Sequence, residues 1–193
     1  MSLFASIPLV SFLAIFLWTF TEYAMHRFNG HDQKGKTAFS KDHLAHHASL
    51  HYFTPTKDKV KRAIFVSAVL FPSSIFLLGL TLGLTFGCVY LIAYFYYDFL
   101  HQYSHYYPPT TMYGRQVRKH HFAHHFSHPK HNFGVTTAFW DKAFGTNHPV
   151  DIVRVPEKRA MVWLFDPQTG NVLSEFSKDY VVVSSKKRKT STA

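Results

Sequence analysis

The chain has 193 residues, room for one domain and little more. Apolar residues make up 47% and aromatics 18%, while charged residues are only 17%, below the share usual in a soluble domain. The net charge is +10 with histidine neutral, yet no Lys or Arg occurs in residues 1–26 or 63–114. Basic residues that flank apolar blocks, rather than interleave with them, argue against a nucleic-acid partner and for an anionic membrane surface. The single cysteine, Cys88, excludes a disulfide within the chain and a cysteine-based zinc site.

Taken in chain order, residues 3–20 carry no charge and are long enough, at 1.5 Å rise per residue, to cross a hydrocarbon core. No basic segment precedes them and no small-x-small site follows, which predicts an anchor helix and not a cleaved leader. Residues 63–97 are also free of charge and overshoot a single span. They predict a helical hairpin turning near Gly79, Gly83 or Gly87, kinked at Pro72, with Tyr94, Tyr96 and Tyr97 as an interfacial belt before Asp98. The basic flanks, residues 27–62 and those after about 98, then face the cytosol.

Residues 149–180 predict a small β-hairpin around the turn at residues 166–171. The tail Lys186, Lys187, Arg188 and Lys189 suits contact with anionic headgroups. The expected architecture is an all-α membrane protein with about three transmembrane helices and a cytosolic, histidine-rich helical cap. Residues 1–148 form the membrane-embedded domain, and residues 149–193 a cytosolic C-terminal extension with a basic tail.

All 15 histidines fall in residues 26–51 and 101–148, on the predicted cytosolic side. Ten are grouped. His26 and His31 are five apart; His43, His46 and His47 read H-x-x-H-H; His101 and His105 are four apart; His121, His124 and His125 repeat H-x-x-H-H. On a helix, residues at i, i+3 and i+4 share a face, so each H-x-x-H-H is expected to aim three imidazoles one way. Ser40 and Asp42 are the candidate caps for the first such helix. Ten buried imidazoles without partners would be costly, and neutral imidazole suits iron, zinc, copper and nickel. Ten nitrogens exceed what one ion takes and fit two ions with five each. Glu22, Asp42 and Asp98 are the carboxylates placed to orient the rings. Of the remaining five, His51 and His128 could share the metal face, His120 points elsewhere, and His131 and His148 stand outside the pattern.

The segments FLWTFTEYAMHRFNGH (16–31), DHLAHH (42–47), YYDFLHQYSH (96–105), KHHFAHH (119–125) and NFGVTTAFWDKAFGT (132–146) resemble the fatty acid hydroxylase and sterol desaturase superfamily, and most closely its stand-alone fatty acid 2-hydroxylases. The resemblance implies a membrane-bound enzyme with a histidine-ligated pair of metals, iron in action, although such a site also accepts zinc. It places the ligands at His26, His31, His43, His46, His47, His101, His105, His121, His124 and His125. It implies dioxygen as oxidant, a lipid substrate drawn from the bilayer, and electrons from an external cytochrome b5-type or ferredoxin-type donor, since no His-Pro-Gly-Gly haem motif occurs here.

The expected function is therefore hydroxylation of the acyl chain of a fatty acid or sphingolipid, at the endoplasmic reticulum or a bacterial inner membrane. Arg115, Arg118 and Lys119 are candidates for meeting an anionic head, and Phe133, Phe139 and Trp140 for lining an acyl channel, although core packing is the plainer role for each. A sterol or lipid desaturase or a carotenoid hydroxylase would use the same histidines. A histidine-rich metal transporter or a zinc-stabilised scaffold is the alternative of another class. Transporters, however, carry polar ligands inside their spans.

Overall fold

The computed structural model describes residues 3–184; the basic tail at 186–189 lies outside the described residues. Helix α1 (Leu3–Ala24) runs without a break into a π-helical segment, Met25–His31. Helix α2 (Ala38–Ala48) follows, and α3 (Thr56–Leu78) and α4 (Leu80–Tyr106) form an antiparallel hairpin. Helix α5 (Met112–Phe126) and the short α6 (Phe139–Ala143) complete the helical part. Three helices among the described residues, Leu3–His31, Thr56–Leu78 and Leu80–Tyr106, are long and apolar enough to span a bilayer. Their outer faces leave Phe4, Phe12, Phe65 and Phe76 exposed, as a lipid-facing surface would.

The hairpin turns at Gly79 alone, whose φ of 77° requires glycine. Gly83 serves a different purpose. A Cβ there would sit 2.5 Å from the Ile75 backbone, so α3 and α4 touch main chain to main chain, and Ser74 Oγ donates to Gly83 O at 3.0 Å. Helix α3 runs on through Pro72. Helix α1 packs on α4 through Trp18, whose indole meets the rings of Tyr90, Tyr94 and Tyr97 at 5.2–5.6 Å. The expected tyrosine belt is thus in part an interhelical contact.

The cap has its own core. Phe122 and Ala123 of α5 pack against Val153, Val155, Trp163, Leu164, Phe176 and Tyr180. Strands β1 (Val153–Pro156) and β2 (Tyr180–Val183) pair in parallel, Val153 facing Tyr180. This corrects the hairpin expected over residues 149–180. A parallel pair needs a long crossover, and here residues 157–179 fold into three 3₁₀ turns that bury Trp163, Leu164 and Phe176. The turn at 166–171 exists, but it carries only one antiparallel bridge, Phe165 with Val172. The cap of α2 is also corrected. Thr37 is the N-cap, its Oγ1 accepting from Ser40 N at 3.0 Å, while Ser40 and Asp42 lie inside the helix.

The close crossing at Gly83 yields a test of sign. On a free helix surface Gly→Ala stabilises by about 1 kcal/mol. At Gly83 the clash with Ile75 should win, so Gly83→Ala should destabilise by about 1–3 kcal/mol, read as a lower thermal midpoint in detergent.

Candidate metal centre

The ten grouped histidines meet beyond the C-terminal end of α1 and at that of α4, in two sets of five. One contains His26, His31, His43, His47 and His124; the other contains His46, His101, His105, His121 and His125. Within each set the ligand nitrogens all lie within 4.8 Å of one another.

Local geometry explains the sorting. Residues four apart on an α-helix lie nearly above one another, whereas neighbours diverge by about 100°. Hence His43 and His47 of α2 join the first set, and His46 turns to the second. On α5 the assignment is reversed: His121 and His125 join the second set, and His124 the first. Each H-x-x-H-H therefore divides between two sets, which corrects the expectation of three imidazoles aimed one way. The sets are adjacent, since the rings of His47 and His125 stack across them at 4.2 Å. His101 and His105 lie four apart on α4 and fall together. His26 and His31 are five apart and would diverge by about 140° on an α-helix. The wider π-turn of Met25–His31 brings them onto one face, with ring centroids 5.3 Å apart.

Three of the ten rings are oriented by main-chain carbonyls, while the Nδ1 atoms of His105, His121 and His125 are buried without a protein partner. His26 Nδ1 bonds to Phe133 O, His124 Nδ1 to His131 O at 2.6 Å, and His46 Nδ1 to Tyr52 O at 2.8 Å. Each of those Nδ1 atoms must carry the proton, which leaves Nε2 with a bare lone pair. Yet the Nε2 atoms of His26 and His124 face each other at 3.0 Å. His124 Nε2 also lies 3.0 Å from His31 Nε2 and 3.1 Å from His47 Nε2. One ring nitrogen cannot hydrogen-bond to three others in this way, and two bare lone pairs repel. In the second set His46 Nε2 is buried without a protein partner. Cations held within the sets would satisfy these nitrogens. Metal–imidazole bonds of about 2.1 Å meeting at right angles place neighbouring nitrogens about 3.0 Å apart, close to the 2.8–3.1 Å seen between paired Nε2 atoms.

Protonation favours the same ligands. Burial holds His46 down to about 4 and His124 down to about 3. Burial, together with neighbouring histidines, pushes His43, His47, His121 and His125 well below the usual histidine range. At neutral pH these are neutral rings, the form that ligates.

Three carboxylates were expected to orient the rings directly, and none contacts a ligand ring. Asp42 accepts from Tyr52, Thr54 and Arg62, and Asp98 from Lys59 and Gln102. Glu22 acts one step removed, accepting from Val135 N, Thr136 N and Thr136 Oγ1. The residue that sequence reasoning missed is Asp141. Fully buried, it accepts from Phe133 N, Gly134 N, Thr146 Oγ1 and His120 Nε2. Glu22 and Asp141 thus clamp the 132–137 loop from two sides, and that loop carries the carbonyl that fixes His26. The segment 132–146 stood out in the sequence, but nothing in it singled out Asp141.

The ungrouped histidines lie elsewhere. His51 packs on Tyr106, and His128 packs against His148 at 3.9 Å between ring centroids, so neither shares the metal face. Arg115 and Lys119 pair with Asp179, and Arg118 is buried against Gly114 O and Tyr107 O, so all three are engaged by the protein itself. Phe133 packs on the rings of His26, His31 and His124. Phe139 and Trp140 pack on Phe16 of α1.

Fold and site together define a helical membrane protein with two adjacent histidine clusters able to coordinate metal. The fatty acid hydroxylase family model matches residues 11–146, and the chain belongs to that family. It is 33% identical over 152 residues to the dihydroceramide fatty acyl 2-hydroxylase of Arabidopsis thaliana, a match covering 72% of this chain and 60% of that protein. It is 30% identical over 141 residues to the ceramide very long chain fatty acid hydroxylase of Saccharomyces cerevisiae, covering 69% of this chain and 36% of that protein. A solved structure of full-length scs7p, in which only the hydroxylase domain is visible, superposes with a TM-score of 0.58 at 27% identity, over 78% of this chain and 60% of that one. The chain thus spans less than two thirds of the length of these relatives.

The loop clamp generates a prediction. Asp141→Asn replaces one acceptor oxygen with a donor amide facing main-chain N–H groups. Metal affinity of the set containing His26 and His124 should fall about 10–100-fold, while the other set keeps its metal. Metal analysis after dialysis against a chelator would show about one equivalent lost, with helical content unchanged.

Proposed function

We propose that this chain is a membrane-bound, non-haem di-iron oxygenase that hydroxylates the acyl chain of a fatty acid or sphingolipid. The observation that carries the reading is the division of both H-x-x-H-H helices between two adjacent five-histidine sets. In this reading all ten histidines, His26, His31, His43, His46, His47, His101, His105, His121, His124 and His125, are ligands. Five neutral nitrogens suit several transition metals, but zinc has no redox chemistry, so turnover calls for iron. The names of the Arabidopsis and yeast relatives support an acyl chain carried on a ceramide-type lipid.

When bound, the two irons supply the activation of dioxygen. One oxygen atom would enter a C–H bond and the other leave as water, with two electrons delivered one at a time by a cytochrome b5-type or ferredoxin-type donor and two protons drawn from water. The protein's own part is to hold and to exclude. The carbonyls of Phe133, His131 and Tyr52 keep three rings in the tautomer that presents Nε2. Phe133, packed on three ligand rings, and the buried cap core of Phe122, Trp163 and Tyr180 keep bulk water from the centre. Arg159 donates to His47 O and Trp163 Nε1 to Ser104 O, so the segment after residue 148 braces both α2 and α4. The division at 148 into an embedded oxygenase part and a bracing extension belongs to this reading. Positive charge beside the spans orients the centre towards the cytosol, at the endoplasmic reticulum or a bacterial inner membrane.

The test is expression with a reductase in a sphingolipid-containing host under ¹⁸O₂, followed by lipid mass spectrometry. A labelled hydroxyl in an acyl chain, abolished by His124→Ala, is the expected result. Loss of two hydrogens without label would replace hydroxylation by desaturation. Lipids identical to those of cells without the protein, with two irons bound, would contradict the oxygenase reading.

A further inference from the structure

Two cavities adjoin beside the histidine clusters. One, of about 80 Å³, has His43 of the first set and His46 and His101 of the second in its wall, with Asp42, Lys59 and Asp98 around it. The other, of about 170 Å³, lies between α1, α3 and α4 and is walled by Trp18, Met25, Ala63, Val66, Tyr90 and Leu91. Phe39, Arg62, Tyr94 and Tyr97 line both. The first is therefore reached by side chains of both metal sets, and the second sits among membrane-spanning helices with an almost wholly apolar wall.

This arrangement matches an amphiphile with a polar end and a long chain. Methylene groups favour the apolar cleft at the depth of the spans. Asp42, Lys59 and Asp98 lie at the end near the histidines, Arg62 borders both cavities, and Glu22, on the wall of the cleft, has its carboxylate taken up by Val135 and Thr136. Near the histidines, Arg62 Nη2 contacts Asp42 Oδ2 at 2.6 Å and Lys59 Nζ contacts Asp98 Oδ1 at 2.6 Å. A guanidinium carries five N–H donors, so the Asp42 contact leaves donors for a carbonyl or hydroxyl of a lipid head. Phe139 and Trp140, for which core packing was the plainer role, both pack on α1, and Phe139 also borders a separate cavity of about 400 Å³ beside α5. Trp140 packs on Phe16 and Phe20 at 4.9 Å and donates to Thr19.

Resting on the hydroxylase reading, we propose that the substrate's acyl chain lies in the cleft between α1, α3 and α4, passing Tyr94 and Tyr97 to reach the centre beneath His43, His46 and His101, with Arg62 at its polar end. Ala63 is a small residue on the α3 wall of the cleft, whose lining holds no histidine, so a large side chain there would fill the cleft away from the metal sets.

The experiment is photolabelling of the full-length, metal-loaded protein in lipid nanodiscs with a fatty acid carrying a diazirine on its chain. Adducts should map to the cleft walls, around Trp18 to Glu22 or Tyr90 to Tyr94, and be displaced by unlabelled fatty acid. Ala63→Trp should abolish these adducts while leaving the metal content and thermal midpoint near those of the wild type; Leu91→Trp serves if that variant does not fold. Displaceable adducts at residues 139–144, or cleft adducts that persist in a folded tryptophan variant, would overturn the proposal. The two readings fail separately: wild-type lipid hydroxylation without cleft adducts removes the channel alone, whereas cleft adducts without oxygen incorporation remove the hydroxylase reading alone.

Discussion

The structure depends on one electrostatic constraint: imidazole nitrogens with bare lone pairs are held about 3 Å apart in a buried place. Left to themselves they would repel, and protonation would place several charges in a site that burial makes hostile to charge. Cations bound in the two clusters would resolve both conflicts. The features around the site then read as means of keeping the nitrogens aimed inward. The π-turn corrects a five-residue spacing that an α-helix would splay, and carbonyls of the loop after α5 and of the segment after α2 take the Nδ1 protons.

The loop at 132–137 links the membrane to the metal centre. Glu22, on the last turn of the first span, grips it at Val135 and Thr136. Asp141 grips it at Phe133 and Gly134. Gly134 has no room for a side chain, since a Cβ would lie 1.9 Å from Thr137 O. A displacement of α1 would therefore reach the His26 ring through its carbonyl, which makes this loop a positioning device despite its having no ligand of its own.

Much of this was legible in the sequence. Charge-free runs located the spans, and histidine spacing located the ten residues that converge, because helical periodicity survives in a one-dimensional pattern. The division of each H-x-x-H-H between two sets was not legible, since it depends on how α2 and α5 are rotated against each other. Nor was the replacement of carboxylates by main-chain carbonyls as ring partners, because a carbonyl leaves no signature in residue identity. The partner of Arg115 and Lys119 was not legible either, because Asp179 lies some sixty residues away in the chain. The parallel strand pair was misjudged for the same reason: a local turn signal is visible in sequence, while a crossover is a long-range choice.

The central claim is that the ten histidines form two separate metal sites sharing two helices. Anaerobic titration of the metal-free protein with Co²⁺, followed by its visible spectrum, tests this most directly when wild type is compared with His101→Ala. The account predicts two equivalents for the wild type and one tight equivalent for the variant, because His101 belongs to a single set. Loss of both equivalents on changing that one ring, or a wild type that saturates with one, would contradict it.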